Sequence, residues 1–333
     1  MTVFFIIFLL TLLVITALAI VQAKNLFVAA MLSGIFSLMS AMTFFLLDAA
    51  DVALTEAAVG AGISTVLFLG ALALTAEHEH EHERTGTAGR LAALAVVTAV
   101  AAVLIYTTFD MPRLGDPNAP AQLHVAPWYL EKTPEYIHVP NVVTAVLASF
   151  RGYDTLGETF VVFTAGIGVL FLLGKAPIGQ LKLSPAMAFA GKSGLRHYQI
   201  PRVVGRLLIP FILLFALYVQ FHGDFGPGGG FQAGVIVAAS IVLYALLEGE
   251  QQARRILSSG VLKVLAAAGT LVYGFTGVAC MLLGGQFLDY SVLSSDPVAG
   301  QHLGIMLIEI GVGTTVTGVL ISVFHSFAAR GAK

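Results

Sequence analysis

Apolar runs about twenty residues long recur along this chain, separated by short polar stretches. A helix crossing the hydrocarbon of a bilayer needs roughly 20 such residues. The runs predict spans over 2–22, 26–47, 57–75, 89–109, 156–174, 203–221, 231–248, 261–283 and 303–327. The expected fold class is therefore an all-α integral membrane protein of about nine transmembrane helices. Residues 1–20 hold no Lys or Arg, and their apolar run is too long for a cleavable signal, so they read as the first span.

Composition agrees with that pattern. The 333 residues are 57% hydrophobic and 11% charged, where a soluble domain carries roughly 25% charged residues. The mean hydropathy is +0.89. Lipid is thus the main solvent of this chain. The single cysteine, Cys280, lies in an apolar run, where it reads as a small packing residue and has no intrachain disulfide partner.

Net charge is −2, and its distribution says more than its sum. With the N-terminus outside, the inner segments hold Lys24, Arg84, Arg90, Lys175, Lys182, Lys192, Arg196, Arg202, Arg206, Arg254, Arg255, Lys263, Arg330 and Lys333. Only Arg113, Lys132 and Arg151 fall outside. The positive-inside rule then predicts an outer N-terminus and a cytoplasmic C-terminus. Most acids take the other side: Asp48, Asp51, Glu56, Asp110, Asp116, Glu131, Glu135, Asp154, Glu158, Asp224, Asp289, Asp296 and Glu309. This asymmetry follows from topology alone, or it forms an electrostatic funnel for cations.

The chain divides into 1–85 with three spans, 86–175 with two spans around a long outer segment, a basic cytoplasmic linker over 176–202, and 203–333 with four spans. The outer segment holds Pro112, Pro117, Pro120, Pro127, Pro134 and Pro140, and is expected to be extended. It ends in an apolar stretch, 141–150, too short to span and expected at the outer interface.

Five motifs could carry chemistry. The first, over 51–68, reads DVALTEAAVGAGISTVLF. Asp51 is placed to cap the third helix or to serve an ion. Glu56 lies about one turn inside it, where a carboxylate needs a partner or a proton. Gly60 and Gly62 permit a close approach or an irregular helix. The second, over 151–159, puts Asp154 and Glu158 at the mouth of the fifth span, with Arg151 able to pair with either. It reads as a capped helix start or as part of an ion path. The third, over 222–234, reads HGDFGPGGGFQAG. Here His222 and Asp224 flank a Pro227-Gly228-Gly229-Gly230 turn, either a tight hairpin or an irregular backbone lining a cavity. The fourth places His302 two turns from Glu309 on one helical face, followed by Gly311 and Gly313. Glu309 is the deepest acid and the best candidate for a functional ionisable residue. The fifth, a Glu/His alternation over 77–83, reads as a solvated loop or a metal site.

Other classes find no support. There is no Walker loop, dinucleotide fingerprint, CxxC or intramembrane His pair for haem. No enzymatic site, cofactor, metal centre or nucleic-acid partner is expected. No Lys lies deep in a span and the inner halves hold almost no acids, so a whole proton path needs partner chains.

The 51–68 stretch resembles the D subunit of membrane-bound hydrogenases, which is also the three-helix module at the end of the large Mrp antiporter A subunit. The 151–158 stretch looks like the E-type module that follows it. The 222–234 turn, with the Glu309-Ile-Gly-Val-Gly pattern, resembles the B subunit of the Mrp multisubunit Na+/H+ antiporter family. Glu56 stands where Mrp A subunits tend to carry Gln, and Asp224 where a less acidic residue is usual. The resemblance implies a small-subunit fusion that exchanges Na+ for H+ in the plasma membrane alongside large antiporter-like subunits. Its ion-path candidates would be Glu309, Glu56, Asp51, Asp154, Glu158, His302, Asp224 and His222. The alternative it implies is the membrane arm of a hydrogenase or other complex-I-related redox enzyme.

Overall fold

Backbone amides in hydrocarbon have no water to bond, so each apolar run must close its own hydrogen bonds as a helix. The computed structural model describes residues 2–72, 86–113, 115–174 and 198–331. Among these there is no β-strand, and nine helices are long and apolar enough to cross a membrane. Their spans are Val3–Gln22, Leu26–Leu46, Ala50–Leu72, Thr87–Thr108, Gly152–Leu173, Gln199–His222, Gly230–Glu248, Ser259–Leu282 and Pro297–Ala328. The Glu/His stretch over 77–83 and nearly all of the expected linker lie outside the described residues.

The third span begins earlier than its apolar run. Helix starts at Ala50, so Asp51 sits in the first turn rather than capping it, and no side chain caps that end. An acid in the first turn is favoured by the helix dipole, which lets the helix extend past the apolar run. The same span is not uniform: Ala57–Ile63, which contains Gly60 and Gly62, is a π-helix between two α-helical halves. The irregularity expected from those glycines is present.

One expectation for the proline-rich segment is corrected. Ala121–Val125 is a π-turn, and Ala126–Tyr136 is an α-helix despite its prolines. Pro127 falls in the first turn of that helix, where a missing N–H costs nothing. The 141–150 stretch leaves Val143 and Leu147 exposed and turns Ala145 and Ala148 inward. It folds into a short helix, Val142–Thr144, and a π-turn, Ala145–Phe150. Ala145 and Ala148 join Tyr273, Tyr290, Ile305 and Ile308 in one buried cluster. Irregular backbone survives here because it is buried in protein and its carbonyls find donors: Tyr290 Oη donates to Ala148 O at 3.0 Å, and Tyr273 Oη to Gly152 O at 2.7 Å.

The last helix is the centre of the bundle. Ile305, Ile308, Val312, Val316 and Ile321 on it are buried, and the seventh helix buries Ala233, Val235, Ala238 and Val242. The seventh and eighth helices both lie against it. At the other extreme, the fourth span has no buried residue along Thr87–Thr108.

Candidate functional site

The sixth helix ends at His222 and the chain turns through 223–229 before the seventh helix starts at Gly230. Gly229 has φ 113° and ψ 179°, a region open essentially only to glycine. The turn is fastened back on the sixth helix, with Gly229 N donating to Val219 O and Gly226 N to His222 O, both at 3.0 Å. The last helix passes directly beneath. A Cβ on Gly230 would stand 2.0 Å from the carbonyl oxygen of Glu309, and one on Gly229 would stand 3.0 Å from Glu309 Oε1. Glycine is therefore what allows this turn to sit over the carboxylate.

Beside the turn is a cleft of about 290 Å³ lined by Gln220, Phe221, Asp224, His302, Leu303, Met306 and Glu309. Its wall mixes four polar side chains with Phe221, Leu303 and Met306, and it is roomy enough for several waters. Two carboxylates and an imidazole thus share one space, as the spacing of His302 and Glu309 predicts. His302 Nε2 lies 2.9 Å from Ile137 O. A carbonyl only accepts, so Nε2 carries a hydrogen. Asp224 Oδ1 is buried with no hydrogen-bond partner among the described residues. Burial pushes the Asp224 carboxyl above the ordinary carboxylate range, and the charge of His302 pulls it down.

The remaining predicted residues divide. Asp51 reaches the turn indirectly: its Oδ1 accepts from Asn141 Nδ2 at 3.1 Å. Nearby, Gln232 Nε2 donates to Thr55 Oγ1 at 2.8 Å, tying the third span to the seventh. Glu56 does not line the cleft. Its Oε1 lies by Gly60, on the side of Ser37. His222 stacks on Tyr218 with ring centroids 4.7 Å apart. Asp154 pairs with Arg151, both exposed, and sits in the first turn of the fifth helix rather than at its cap. Glu158 is exposed on that helix and lies outside the cleft. Among the described residues no three His, Cys, Asp or Glu side chains are close enough to hold a metal ion.

Sequence reasoning passed over Asn141, Thr144 and the opposite end of the bundle. Asn141 carried one signal, an Asn ahead of an apolar run. Its side chain does cap that run, but its contacts with the turn have no local signature. At the opposite end Glu248, 3% exposed, accepts from Arg202 Nε at 2.8 Å and Arg206 Nε at 2.6 Å. Arg254 Nη2 donates to the carbonyl of His325, whose buried ring nitrogens have no partner among the described residues. Two carboxylates, an imidazole and room for water in one cleft can hold a proton or a cation.

Family comparisons match all three parts of the chain. Residues 200–322 match the domain related to the MnhB subunit of the Na+/H+ antiporter, residues 11–77 match the D subunit of MBH, and residues 88–178 match the E subunit of MBH. A putative antiporter subunit mnhB2 of Staphylococcus aureus is 32% identical over 130 residues, covering 38% of this chain and 92% of that protein. The probable A/B subunit of a K+/H+ antiporter from Rhizobium meliloti is 28% identical over 227 residues, which is 63% of this chain. This chain spans only 22% of that relative's length. Among solved structures, the Mrp complex from Dietzia sp. DQ12-45-1b matches with a TM-score of 0.75 at 27% identity, over 96% of this chain and 34% of the matched one.

Proposed function

The chain belongs to the Mrp-type antiporter subunit family through its MnhB-related last four spans, and on that footing we propose that it is a small-subunit fusion of a multisubunit monovalent cation/proton antiporter. It works in the plasma membrane beside large antiporter-like subunits and carries out no enzymatic reaction of its own. Its part of the ion path is the cleft of Asp224, His302 and Glu309. The observation that carries this reading is the buried, unpartnered Asp224 Oδ1 in the same cleft as Glu309. A buried carboxylate oxygen without a donor is costly unless it holds a proton or a cation.

The sign of the Asp224 shift gives a test. A carboxyl whose folded pKa is raised contributes stability that is present at acid pH and lost as pH rises through that folded value. Asp224→Asn should therefore melt with wild type at low pH and above it at alkaline pH. Na+ binds the charged form, so it should close the alkaline gap by raising only the wild-type melting temperature. Melting of the intact complex, with and without Na+, reads this directly. A gap that is the same at every pH and salt would remove Asp224 from the path.

The proposed topology has the N-terminus outside. In a Cys280→Ala background, a single cysteine within 120–135 should be labelled from outside by an impermeant reagent, and one within 185–195 should not. The reverse pattern inverts the topology. The purified chain alone should show no cation/proton exchange in vesicles. The hydrogenase-related matches over 11–77 and 88–178 favour one second reading, the membrane arm of a redox enzyme. Co-purification with iron–sulfur subunits would decide for it.

A further inference from the structure

Gln232 does not line the cleft, yet its amide comes close to Glu309. It is 9% exposed and lies in the first turn of the seventh helix. Its orientation is fixed by the third span. Thr55 Oγ1 donates its one hydrogen to the backbone carbonyl of Asp51 at 2.9 Å, so towards Gln232 it can only accept. The group 2.8 Å from it is therefore the amide nitrogen of Gln232, and the amide oxygen is turned away from Thr55. That oxygen faces Gly229. The missing side chain of Gly229 leaves a space walled by two oxygens. From where its Cβ would stand, Glu309 Oε1 is 3.0 Å away and Gln232 Oε1 is 3.6 Å away. Among the described residues no donor serves either oxygen. Two acceptors, one of them a carboxylate, thus border one space, and burying them so is costly unless a proton or a cation lies between.

We propose that the Glu309 carboxyl and Gln232 Oε1 form one seat for a single ion, which takes a proton or a small monovalent cation but not both. With a proton, Glu309 donates to Gln232 Oε1. Without it, both oxygens become ligands of one cation and replace part of its hydration. The amide does not ionise, so this pair carries one negative charge when empty and none when either ion is bound. Exchanging one ion for the other leaves the charge beneath the turn unchanged, which matters where the dielectric is low. Gln232 is thus a cation-binding residue, and the field of its oxygen helps to set which cation is preferred. The charged and titratable neighbours are few. Asp224 and His302 share the cleft with Glu309, Asp51 and Glu56 belong to the third span, and His222 ends the sixth helix. The seventh helix carries only Glu248, at its far end, and the eighth only Lys263, near its start. The seat deepens the reading of the cleft as an ion path, and rests on it for the route by which ions arrive, though not for its geometry.

A hydrophobic carbodiimide, which attacks protonated carboxyls inside a bilayer, reads the seat in the intact complex, with the Glu309 peptide followed by mass spectrometry. In wild type, Na+ should slow the labelling of Glu309 by displacing its proton. Gln232→Met keeps the length of the side chain and removes the oxygen, so the Na+ concentration that halves labelling should rise about tenfold or more. An unchanged half-protecting concentration would mean that the amide is only a tether to Thr55, and overturns the proposal. Thr55→Val decides if Gln232→Met does not assemble. It releases the amide nitrogen and lets the oxygen turn away, so half-protection should need about threefold more Na+; no change there overturns the proposal equally. Labelling of wild type that ignores Na+ removes the cation from this seat. The cleft itself would then be judged separately, by the Na+ response of Asp224→Asn melting.

Discussion

Glu309→Gln is expected to leave the complex assembled and to lower its cation/proton exchange about tenfold or more, the loss of roughly 1.4 kcal/mol of ion stabilisation. Gln keeps the size and hydrogen bonding of the side chain and removes its titration. The wild-type carboxylate lies beneath the 223–229 turn, and the charge acting on it is another carboxylate, Asp224. Among the described residues no Lys, Arg or His forms an ion pair with it. A carboxylate so placed is costly unless it holds a proton or a cation, which is why its titration is expected to matter. Exchange would be read in vesicles with a pH-sensitive dye, and assembly by co-purification of the partner subunits. Wild-type exchange by an assembled Glu309→Gln complex, across roughly pH 6 to 9, makes Glu309 structural and moves the path elsewhere. Glu309→Ala is a poorer choice, because lost packing imitates lost function.

Gly230→Ala should do more damage with less chemistry. The added carbon would meet the Glu309 carbonyl oxygen at 2.0 Å, and that atom belongs to the backbone of the central helix. A side-chain tip can swing away from such a contact, but a helix backbone cannot. Overpacking against movable side chains costs about 1–3 kcal/mol, so a backbone clash here should exceed about 3 kcal/mol. The expected result is loss of the chain from the membrane, seen as a fall of at least about tenfold in immunoblotted protein. Normal abundance with normal exchange would show that the seventh and ninth helices are not held this closely. Gly229→Val adds a different strain, since its φ of 113° excludes β-branched side chains.

The spans were legible because lipid imposes a length and an apolarity that leave few alternatives. The pairing of His302 with Glu309 was legible for a similar reason: residues seven apart share a helical face. What could not be read was anything that depends on tertiary contact. Asn141 meets Asp51 from 90 residues away and the turn from 82 and 85. The stretch it introduces keeps Val143 and Leu147 exposed but sends Ala145 and Ala148 into the buried cluster of Tyr273 and Tyr290. The prolines misled differently, because Pro127 is compatible with a helix start, and that depends on register rather than on composition. Glu56 shows the converse. Its depth marks it as costly, but its neighbours Gly60 and Ser37 set it apart from the cleft, and helical spacing alone gave no sign of that.

The widened turn over Ala57–Ile63 bears on how this chain tolerates insertion and deletion. Ahead of it, Asp51 and Thr55 face Asn141 and Gln232; beyond it, Thr65 lies against Gly34 and Gly70 against Phe327. One helix thus keeps two appointments at different azimuths, and the π-segment sets the phase between them. Each residue of an α-helix advances about 100°. Deleting any single residue from the α-helical turn between Asp51 and the segment would leave a helix of nearly the same length and apolarity. It would also swing the half that carries Asp51 through roughly that angle, away from Asn141. A hydropathy profile would record no change, while the two ends of the span would have lost their common timing.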